Sequence, residues 1–292
     1  MHLLSVDDLS KEDMNKIFEI ADDVRSGKTE MSIKEGSVLA LLFPDYSTRM
    51  RVALEVAMAK LGGKSTYVST GELLKQNANA AANVARMLGA YVDFIAASIS
   101  SHDTLLALAG SSPVPVINAG TDLEQPLSAL ATLYTLLDKK GFLKGMALGI
   151  MGNVELNTVN SLMLAATKLG VKVSLISQKA FSPNPMYLVK AREYGIVDTF
   201  SSAEEGISGA DALCLEYSSG KSKEKEDTLA GLGIDIGKLS QSALLMCSLP
   251  DNATDDNINA LVNSEKSIVW DQVRNMLYVA QAAILLLSER SM

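Results

Sequence analysis

The chain has few of the residues that bind metals or form disulfides. Its 292 residues include two cysteines and two histidines, which are Cys214, Cys247, His2 and His102. The cysteines lie far apart in sequence, and none of these residues has the short spacing of a zinc motif. We therefore expect reduced thiols and no structural metal.

Long apolar runs and clusters of basic residues are also missing. No apolar run reaches the roughly 18 residues of a membrane span, and Met1 to Asp8 lacks the basic and apolar regions of a signal peptide. The net charge is −8 and the basic residues are dispersed, so the sequence offers no basic patch to nucleic acid. We interpret the chain as a cytoplasmic protein that binds neither membranes nor nucleic acid.

Aromatic residues are scarce, at 5% of the chain, whereas hydrophobic residues reach 48% and are mainly alanine, leucine, methionine and valine. This composition favours helices packed on a sheet over a β-sandwich. The length fits two domains of about 150 residues each. We predict a first domain over residues 1–135, a second over residues 136–272, and a C-terminal helix over residues 273–292 that packs back on the first domain.

Short apolar segments alternate with amphipathic ones along the chain. Val38 to Phe43 is wholly apolar, which is typical of a strand buried on both faces. After Ser5, a helical pattern runs from about Val6 to Val24. Strands that alternate with helices indicate a parallel sheet built of βαβ units, and here each of the two domains shows such a series. The fold class predicted is therefore α/β, with a parallel sheet flanked by helices in each domain.

The segment Ser47-Thr48-Arg49-Met50-Arg51 follows the first buried strand, where a helix is expected to begin at Ser47. Backbone N–H groups at a helix start lack partners within the helix, and with the helix dipole they favour an anion. Two hydroxyl groups and a guanidinium group in the same place suit phosphate oxygens. The alternative is that Ser47 only caps the helix and that Arg49 and Arg51 are surface cations.

A longer set of motifs around this segment resembles one known family. The stretch from Phe43 to Arg51, followed by Lys60-Leu61-Gly62-Gly63, is similar to the carbamoyl-phosphate signature of the aspartate/ornithine carbamoyltransferases. Further matches to that family, in chain order, are Gly71-Glu72, Val114-Pro115-Val116-Ile117-Asn118-Ala119-Gly120 and Leu249-Pro250. Because these markers span most of the chain, it is identified as a divergent member of the family.

The resemblance implies a carbamoyl transfer that needs no cofactor. The first domain would bind carbamoyl phosphate and the second an amino acid, whose amino group attacks the carbamoyl carbon. The resemblance also implies a trimer with active sites between subunits and between the two domains, as a homotrimer or a mixed assembly with a related subunit. By the match to the signature, Ser47, Thr48 and Arg49 would bind phosphate, and Arg49 and Gln125 would act in catalysis.

Several positions in the first domain depart from the family's pattern. Met50 replaces a threonine, a neutral residue around Ala97-Ser98 replaces an arginine, and Gln125-Pro126-Leu127-Ser128 stands in place of His-Pro-Thr-Gln. Gln125 can donate a hydrogen bond to a carbonyl oxygen but cannot carry a positive charge. Each lost charge-assisted bond costs about 1.5 to 3 kcal/mol, so these changes together are expected to lower the rate by several powers of ten.

In the second domain, the resemblance assigns the amino acid substrate to a further set of residues. Asn157 lies in a segment similar to that of the ornithine-type members, and Glu216 and Ser218 stand near that group's aspartate and serine at shifted spacing. Cys247 occupies the position of the family's histidine, and Leu249 belongs to the Leu-Pro motif. For Cys247 the alternative is a small core residue, because a cysteine after an apolar strand is rarely a nucleophile without a basic partner.

Three functions are open from the sequence. The first is a divergent carbamoyltransferase with impaired or altered activity, supported by Ser47-Thr48-Arg49. The second is a catalytically silent paralogue that binds a small anion or assembles with an active partner, since donors are lost from several strands at once. The third, a dinucleotide site at Gly149-Ile150-Met151-Gly152, lacks the full three-glycine spacing and the acidic residue after the next strand.

Overall fold

The structure of the chain is a computed structural model, which describes residues 1–27, 31–44, 49–70, 78–178, 181–216, 239–247 and 262–290. Within these ranges the helices are a 3-10 helix (Val6–Asp8), α1 (Lys11–Ser26), α2 (Arg49–Lys60), α3 (Ala78–Gly89), α4 (His102–Ser111), α5 (Pro126–Lys140), α6 (Asn157–Lys168), α7 (Pro185–Tyr194), α8 (Ala203–Gly206) and α9 (Val269–Glu289). The strands are β1 (Val38–Phe43), β2 (Lys64–Ser69), β3 (Phe94–Ser98), β4 (Val116–Gly120), β5 (Ala147–Gly152), β6 (Lys172–Ile176), β7 (Val197–Phe200), β8 (Ala212–Glu216) and β9 (Leu244–Cys247).

These strands form two parallel sheets, and a helix lies between successive strands from β1 to β8. One sheet has the order β2-β1-β3-β4 and the other the order β7-β6-β5-β8-β9. Every pair of neighbouring strands runs parallel. The predicted α/β class is confirmed.

The N-terminal segment differs from the single helix predicted between Val6 and Val24. Ser5 caps the 3-10 helix, and Ser10 caps α1, so two helix starts follow one another. Leu9 between them has extended backbone angles, φ −98° and ψ 126°. The prediction was wrong here because the apolar spacing of the two helices is nearly continuous, whereas a capping serine interrupts the helix.

Three elements have no counterpart in the sequence-based prediction, which are strand β7, helix α4 and the short helix α8. Strand β7 lies at the edge of its sheet, and Asp198 and Thr199 within it are exposed. Such a strand lacks the continuous apolar run that identifies the buried strands of a parallel sheet. Helix α4 begins after its N-cap Ser101, whose side chain accepts a hydrogen bond from the Thr104 N–H.

Each sheet has its own apolar core. In the first, side chains of β1, β3 and β4 pack with α3 and α4, as in the cluster of Leu42, Ala85, Ile95, Leu105 and Val116. In the second, side chains of β5, β6, β8 and β9 pack together, as in the cluster of Met151, Ile176, Leu213, Leu245 and Cys247. Gly149 lies within β5, where an added Cβ would be 2.9 Å from Leu213 Cδ1, so it serves strand packing and not a phosphate loop.

The chain divides into two compact units. Unit 1 comprises Met1–Leu130 and Arg274–Met292, and unit 2 comprises Ala131–Val273. The β1–β4 sheet belongs to unit 1 and the β5–β9 sheet to unit 2. Within unit 1, Arg290 donates a hydrogen bond to Asp13, which attaches the end of α9 to α1.

Two helical glycines of unit 1 provide a matched test of how closely α3 packs against Pro113. A Cβ on Gly89, the last residue of α3, would lie 2.4 Å from Pro113 Cγ, whereas one on Gly110 in α4 would meet nothing within 4 Å. We predict that Gly89→Ala lowers the free energy of unfolding by about 1 to 3 kcal/mol through overpacking. Gly110→Ala should raise it by up to about 1 kcal/mol, because alanine is the better helix former.

Urea unfolding followed by circular dichroism measures both changes. Equal effects of the two substitutions would contradict the close approach of α3 to Pro113.

Candidate functional site

The candidate site of unit 1 lies where the carboxyl ends of its parallel strands meet. Strand β1 ends at Phe43, β3 at Ser98 and β4 at Gly120, and Ser98 pairs with Gly120 across a register shift. In parallel α/β sheets the loops and helix starts that follow the strands gather at this edge, which is where such folds bind ligands.

Arg49 is the first residue of α2, and its side chain is exposed. The first backbone N–H groups of a helix have no partner within it, so a helix start favours an anion, and Arg49 adds a positive charge at this position in the chain. Ser47 and Thr48 lie outside the described residues. Met50 is buried, and the Arg51 guanidinium lies over the Tyr67 ring at 4.7 Å from the ring centroid.

Ser98, Gly120 and Gln125 come together at the same edge. A Cβ built on Gly120 would lie 3.5 Å from Gln125 Nε2 and 3.7 Å from Ser98 Oγ. Gly120 has φ +139°, a backbone conformation that side chains with a Cβ rarely adopt. Its N–H donates to Asn118 Oδ1 at 2.8 Å, which holds this conformation.

This group offers two neutral hydrogen-bond donors, the Ser98 hydroxyl and the Gln125 amide. Both are half-buried, and both can donate to a carbonyl oxygen. Because neither carries a charge, they stabilise an oxyanion less than an arginine and a histidinium would. From the sequence, the neutral replacement of the family's arginine was located only around Ala97-Ser98, and in the structure Ser98 is the residue that pairs with Gly120.

The candidate site of unit 2 is built around the buried side chain of Glu216. This residue ends β8, pairs with Gly152 at the end of β5, and is 2% exposed. Thr158 Oγ1 donates to Glu216 Oε2 at 2.7 Å, and Cys214 Sγ donates to Glu216 Oε1 at 3.5 Å. Burying a carboxylate without such donors would be costly, so these contacts explain how it is accommodated.

The Cys214 thiol contacts this carboxylate, and Cys247 lies on the neighbouring strand β9, opposite Leu215. Burial raises the pKa of the Cys214 thiol well above its ordinary value, and the neighbouring Glu216 charge raises that pKa further. The thiol therefore stays protonated and can act as a donor to Glu216. Cys247, at the end of β9, is 3% exposed and packs in the apolar cluster of unit 2.

Asn157 begins α6, and its Oδ1 accepts a hydrogen bond from the Thr158 N–H at 2.8 Å. Thr158 therefore connects Asn157 to Glu216, because its backbone N–H donates to the first and its hydroxyl donates to the second. Ser218 and Leu249 lie outside the described residues. The roles assigned to these residues from the sequence stay predictions.

Sequence reasoning missed two residues that the structure connects to the candidate sites. Thr158 follows Asn157 directly but gave no sign that its hydroxyl would bind a residue 58 positions away. Glu124 precedes Gln125 and is 2% exposed. An acidic residue next to a candidate catalytic residue, in a segment with several apolar neighbours, was the available signal for Glu124.

Two negative observations apply to the described ranges alone. In them, no group of three or more His, Cys, Asp or Glu side chains is arranged to hold a metal ion. None of the helices in that part of the chain has both the length and the apolar character required to cross a bilayer.

Comparison with protein families gives two adjacent matches. Residues 1–138 match the family described as "Aspartate/ornithine carbamoyltransferase, carbamoyl-P binding domain". Residues 144–287 match the family described as "Aspartate/ornithine carbamoyltransferase, Asp/Orn binding domain". The two matches together cover nearly the whole chain.

Individual relatives and solved structures agree with these matches. The chain is 31% identical over 302 residues to the ornithine carbamoyltransferase of Ignicoccus hospitalis, covering 98% of this chain and 97% of the relative. For the ornithine carbamoyltransferase of Methanocaldococcus jannaschii the identity is 31% over 305 residues, with 99% and 100% covered. The structures of ornithine carbamoyltransferase from Pyrococcus furiosus and Thermus thermophilus superpose with TM-scores of 0.88 and 0.87, at 28% and 29% identity. They cover 97% and 98% of this chain, and 95% and 98% of their own chains are covered.

The hydrogen bond from Thr158 to Glu216 can be tested by substitution. We predict that Thr158→Val lowers the free energy of unfolding by about 1 to 3 kcal/mol, because a buried carboxylate oxygen loses its donor. Thr167→Val is the matched control in the same helix, since the Thr167 hydroxyl donates to the Met163 and Leu164 carbonyls of its own helix. Its cost should stay below about 1 kcal/mol, because those carbonyls are bonded within the helix.

Chemical denaturation at pH 7 compares the two variants. A smaller loss for Thr158→Val than for Thr167→Val would contradict the arrangement described for Glu216.

Proposed function

The chain belongs to the aspartate/ornithine carbamoyltransferase family, and from this premise we propose that it transfers the carbamoyl group of carbamoyl phosphate to an amino group of ornithine or a closely related diamino acid. The observation that carries the proposal is the buried carboxylate of Glu216 at the carboxyl edge of the unit 2 sheet. The matches to ornithine carbamoyltransferases over almost the full chain support the same acceptor.

Carbamoyl phosphate, the substrate that donates the carbamoyl group, is assigned to the carboxyl edge of the unit 1 sheet. The phosphate group binds at the start of α2, where Arg49 and the helix N–H groups supply positive charge. Ser47 and Thr48 complete this site by their position in the sequence. The carbamoyl oxygen binds the Gln125 amide and the Ser98 hydroxyl, which lie beside Gly120.

The diamino acid, the substrate that accepts the carbamoyl group, is assigned to the site around Glu216. An ionised carboxylate has lone pairs for about four hydrogen bonds, so Glu216 can accept donors besides Thr158 and Cys214. An ammonium group of a diamino acid fits this negative environment, whereas the side-chain carboxylate of aspartate would be repelled by it. Asn157, connected to Glu216 through Thr158, supplies a side-chain amide to the same diamino acid.

The reaction places modest demands on the protein. The neutral amino group attacks the carbamoyl carbon, negative charge develops on the carbonyl oxygen, and phosphate then leaves with the electrons of the broken C–O bond. The amino nitrogen gives up one proton, which the departing phosphate accepts. Orienting the two substrates and donating hydrogen bonds to the developing oxyanion are the contributions that fixed side chains can make.

The neutral donors Ser98 and Gln125 set the expected level of activity. We expect turnover that is slow relative to an enzyme with charged donors at these positions, because charge-assisted hydrogen bonds are about twice as strong as neutral ones. The trimeric assembly implied by the resemblance and the cytoplasmic location expected from the sequence stay predictions. If the protein binds carbamoyl phosphate tightly and no amino acid stimulates phosphate release, the chain is instead a silent paralogue.

The phosphate site can be tested at Arg49. We predict that Arg49→Ala raises the Kd for carbamoyl phosphate about 10- to 100-fold, because a charge-assisted hydrogen bond worth about 1.5 to 3 kcal/mol is lost. Arg86→Ala is the control, since Arg86 is an exposed arginine in the last turn of α3, where a helix does not attract anions. Isothermal titration calorimetry measures both affinities.

An unchanged affinity for Arg49→Ala, or an equal loss for Arg86→Ala, would contradict the assignment of phosphate to the start of α2.

The acceptor can be tested with a panel of amino acids and a substitution at Glu216. Phosphate release from carbamoyl phosphate should be stimulated by ornithine and related diamino acids and not by aspartate. Glu216→Gln keeps the shape but removes the charge, so the KM for the diamino acid should rise about 10- to 100-fold. Glu205→Gln, at an exposed position in α8, should leave the KM unchanged.

Stimulation by aspartate in the wild type would show that the acceptor is wrong. A KM that is insensitive to Glu216→Gln would show that the acceptor site is elsewhere.

A further inference from the structure

The turn between β4 and α5 carries Gly120 and Gln125 and is fixed by an internal hydrogen-bond network. The Thr121 N–H donates to the Glu124 carbonyl oxygen at 2.9 Å, and the Glu124 N–H donates to Thr121 Oγ1 at 3.1 Å. Asn118 is fully buried, and its Oδ1 accepts the Gly120 N–H. The backbone between Asn118 and Gln125 is therefore held by hydrogen bonds between residues of the turn itself.

The same turn is attached to the first residues of the chain. The Leu3 N–H donates to the Val116 carbonyl at 2.8 Å, and the Asn118 N–H donates to the Leu3 carbonyl at 2.8 Å. The Asn118 side chain continues this contact by donating to the Leu4 carbonyl at 2.7 Å. The N-terminal segment thus runs parallel to β4 and extends the sheet of unit 1 at its edge.

Glu124 makes the longest-range contact of this network. Its side chain is 2% exposed, and Oε2 accepts the Val6 N–H at 2.8 Å. The other carboxylate oxygen accepts the Ser5 hydroxyl. Ser5 at the same time caps the 3-10 helix by accepting the Asp7 N–H, so the carboxylate binds a pre-formed cap.

We propose that Glu124 is a positioning residue for Gln125. By accepting hydrogen bonds from Ser5 and Val6 in the N-terminal cap, the Glu124 carboxylate fixes the turn and therefore the position of the Gln125 amide. The carboxylate lies one residue before Gln125, so a shift of Glu124 moves the start of α5 and the amide with it. The mechanical part of this inference stands on the contacts alone. The catalytic part rests on the proposed function, in which Gln125 donates to the carbamoyl oxygen.

The physical reason for such an anchor is the weakness of a neutral donor. An amide stabilises an oxyanion only within hydrogen-bond distance and in the right direction, and an error of about 1 Å in position can cost about 100-fold in rate. Gln125 has a flexible side chain on a turn, and the buried carboxylate next to it limits how far that turn can move.

The following variants separate a positioning role of Glu124 from a purely structural one. Glu124→Leu removes both contacts to the N-terminal cap, whereas Glu124→Gln retains an oxygen for the Val6 N–H and a donor for Ser5 Oγ. Ser5→Ala removes one contact from the opposite side. Ser10→Ala is its control, because Ser10 caps α1 in the same way and contacts Asp13, not Glu124.

The first measurement is amide hydrogen exchange of the segment Asn118 to Pro126 in the full chain without ligands. We expect faster exchange in Glu124→Leu and Ser5→Ala, nearly wild-type exchange in Glu124→Gln, and no change in Ser10→Ala. The second is steady-state kinetics of phosphate release. Glu124→Leu should lower kcat about 10- to 100-fold with little change in the KM for carbamoyl phosphate, because the phosphate site at α2 is untouched.

A third variant pair removes the remaining ambiguity. In a Gln125→Ala background, Glu124→Leu should have little further effect on kcat, because the residue it positions is already gone. Additive losses in the double variant would overturn the positioning role, as would a Glu124→Gln variant as slow as Glu124→Leu. If the Glu124→Leu chain does not fold, Ser5→Ala against Ser10→Ala makes the same comparison.

Failure of the proposed function would be recognised separately. If the wild type releases no phosphate with any amino acid, the transferase assignment fails, and the exchange data still decide whether Glu124 holds the turn. Unchanged exchange in both Glu124→Leu and Ser5→Ala would overturn the anchor, whatever the wild-type activity.

Discussion

The alignment of parallel strands is the constraint on which both candidate sites depend. Because all strands of each described sheet run in the same direction, their carboxyl ends lie along one edge, and the helix starts that follow them gather there. In unit 1 this brings Ser98 opposite Gly120 and puts Arg49 at the start of a helix. In unit 2 it puts Glu216 beside Gly152 at the ends of neighbouring strands.

Each unit also contains one buried carboxylate near that edge, and the two are accommodated in a similar way. Glu124 accepts a hydroxyl from Ser5 and a backbone N–H from Val6, and Glu216 accepts a hydroxyl from Thr158 and a thiol from Cys214. Buried charges require such donors because burial otherwise favours the neutral form. In our account the two carboxylates differ in purpose: Glu124 positions a neighbouring residue, whereas Glu216 binds the acceptor.

The sequence was sufficient for the fold class because buried parallel strands such as β1 are continuous apolar runs, and it was sufficient for the family because the motifs are contiguous. It failed where the evidence lies in three dimensions. The edge strand β7 has exposed polar residues, and the break at Leu9 depends on two serine caps. Thr158 is 58 residues away from Glu216, and the partners of Glu124 are 118 or more residues away, which no local pattern reveals. Arg49, Gln125, Asn157 and Glu216 could be named from motifs, whereas Thr158 and Glu124 could not.

The central claim is that the carboxyl edge of the unit 1 sheet binds a carbamoyl phosphate molecule. A crystal soaked with carbamoyl phosphate tests it most directly. The account predicts phosphate oxygens within hydrogen-bond distance of the Arg49 guanidinium and the first N–H groups of α2, and the carbamoyl oxygen within reach of the Gln125 amide and the Ser98 hydroxyl. Density at another place, or none at a concentration that saturates binding in solution, would contradict it.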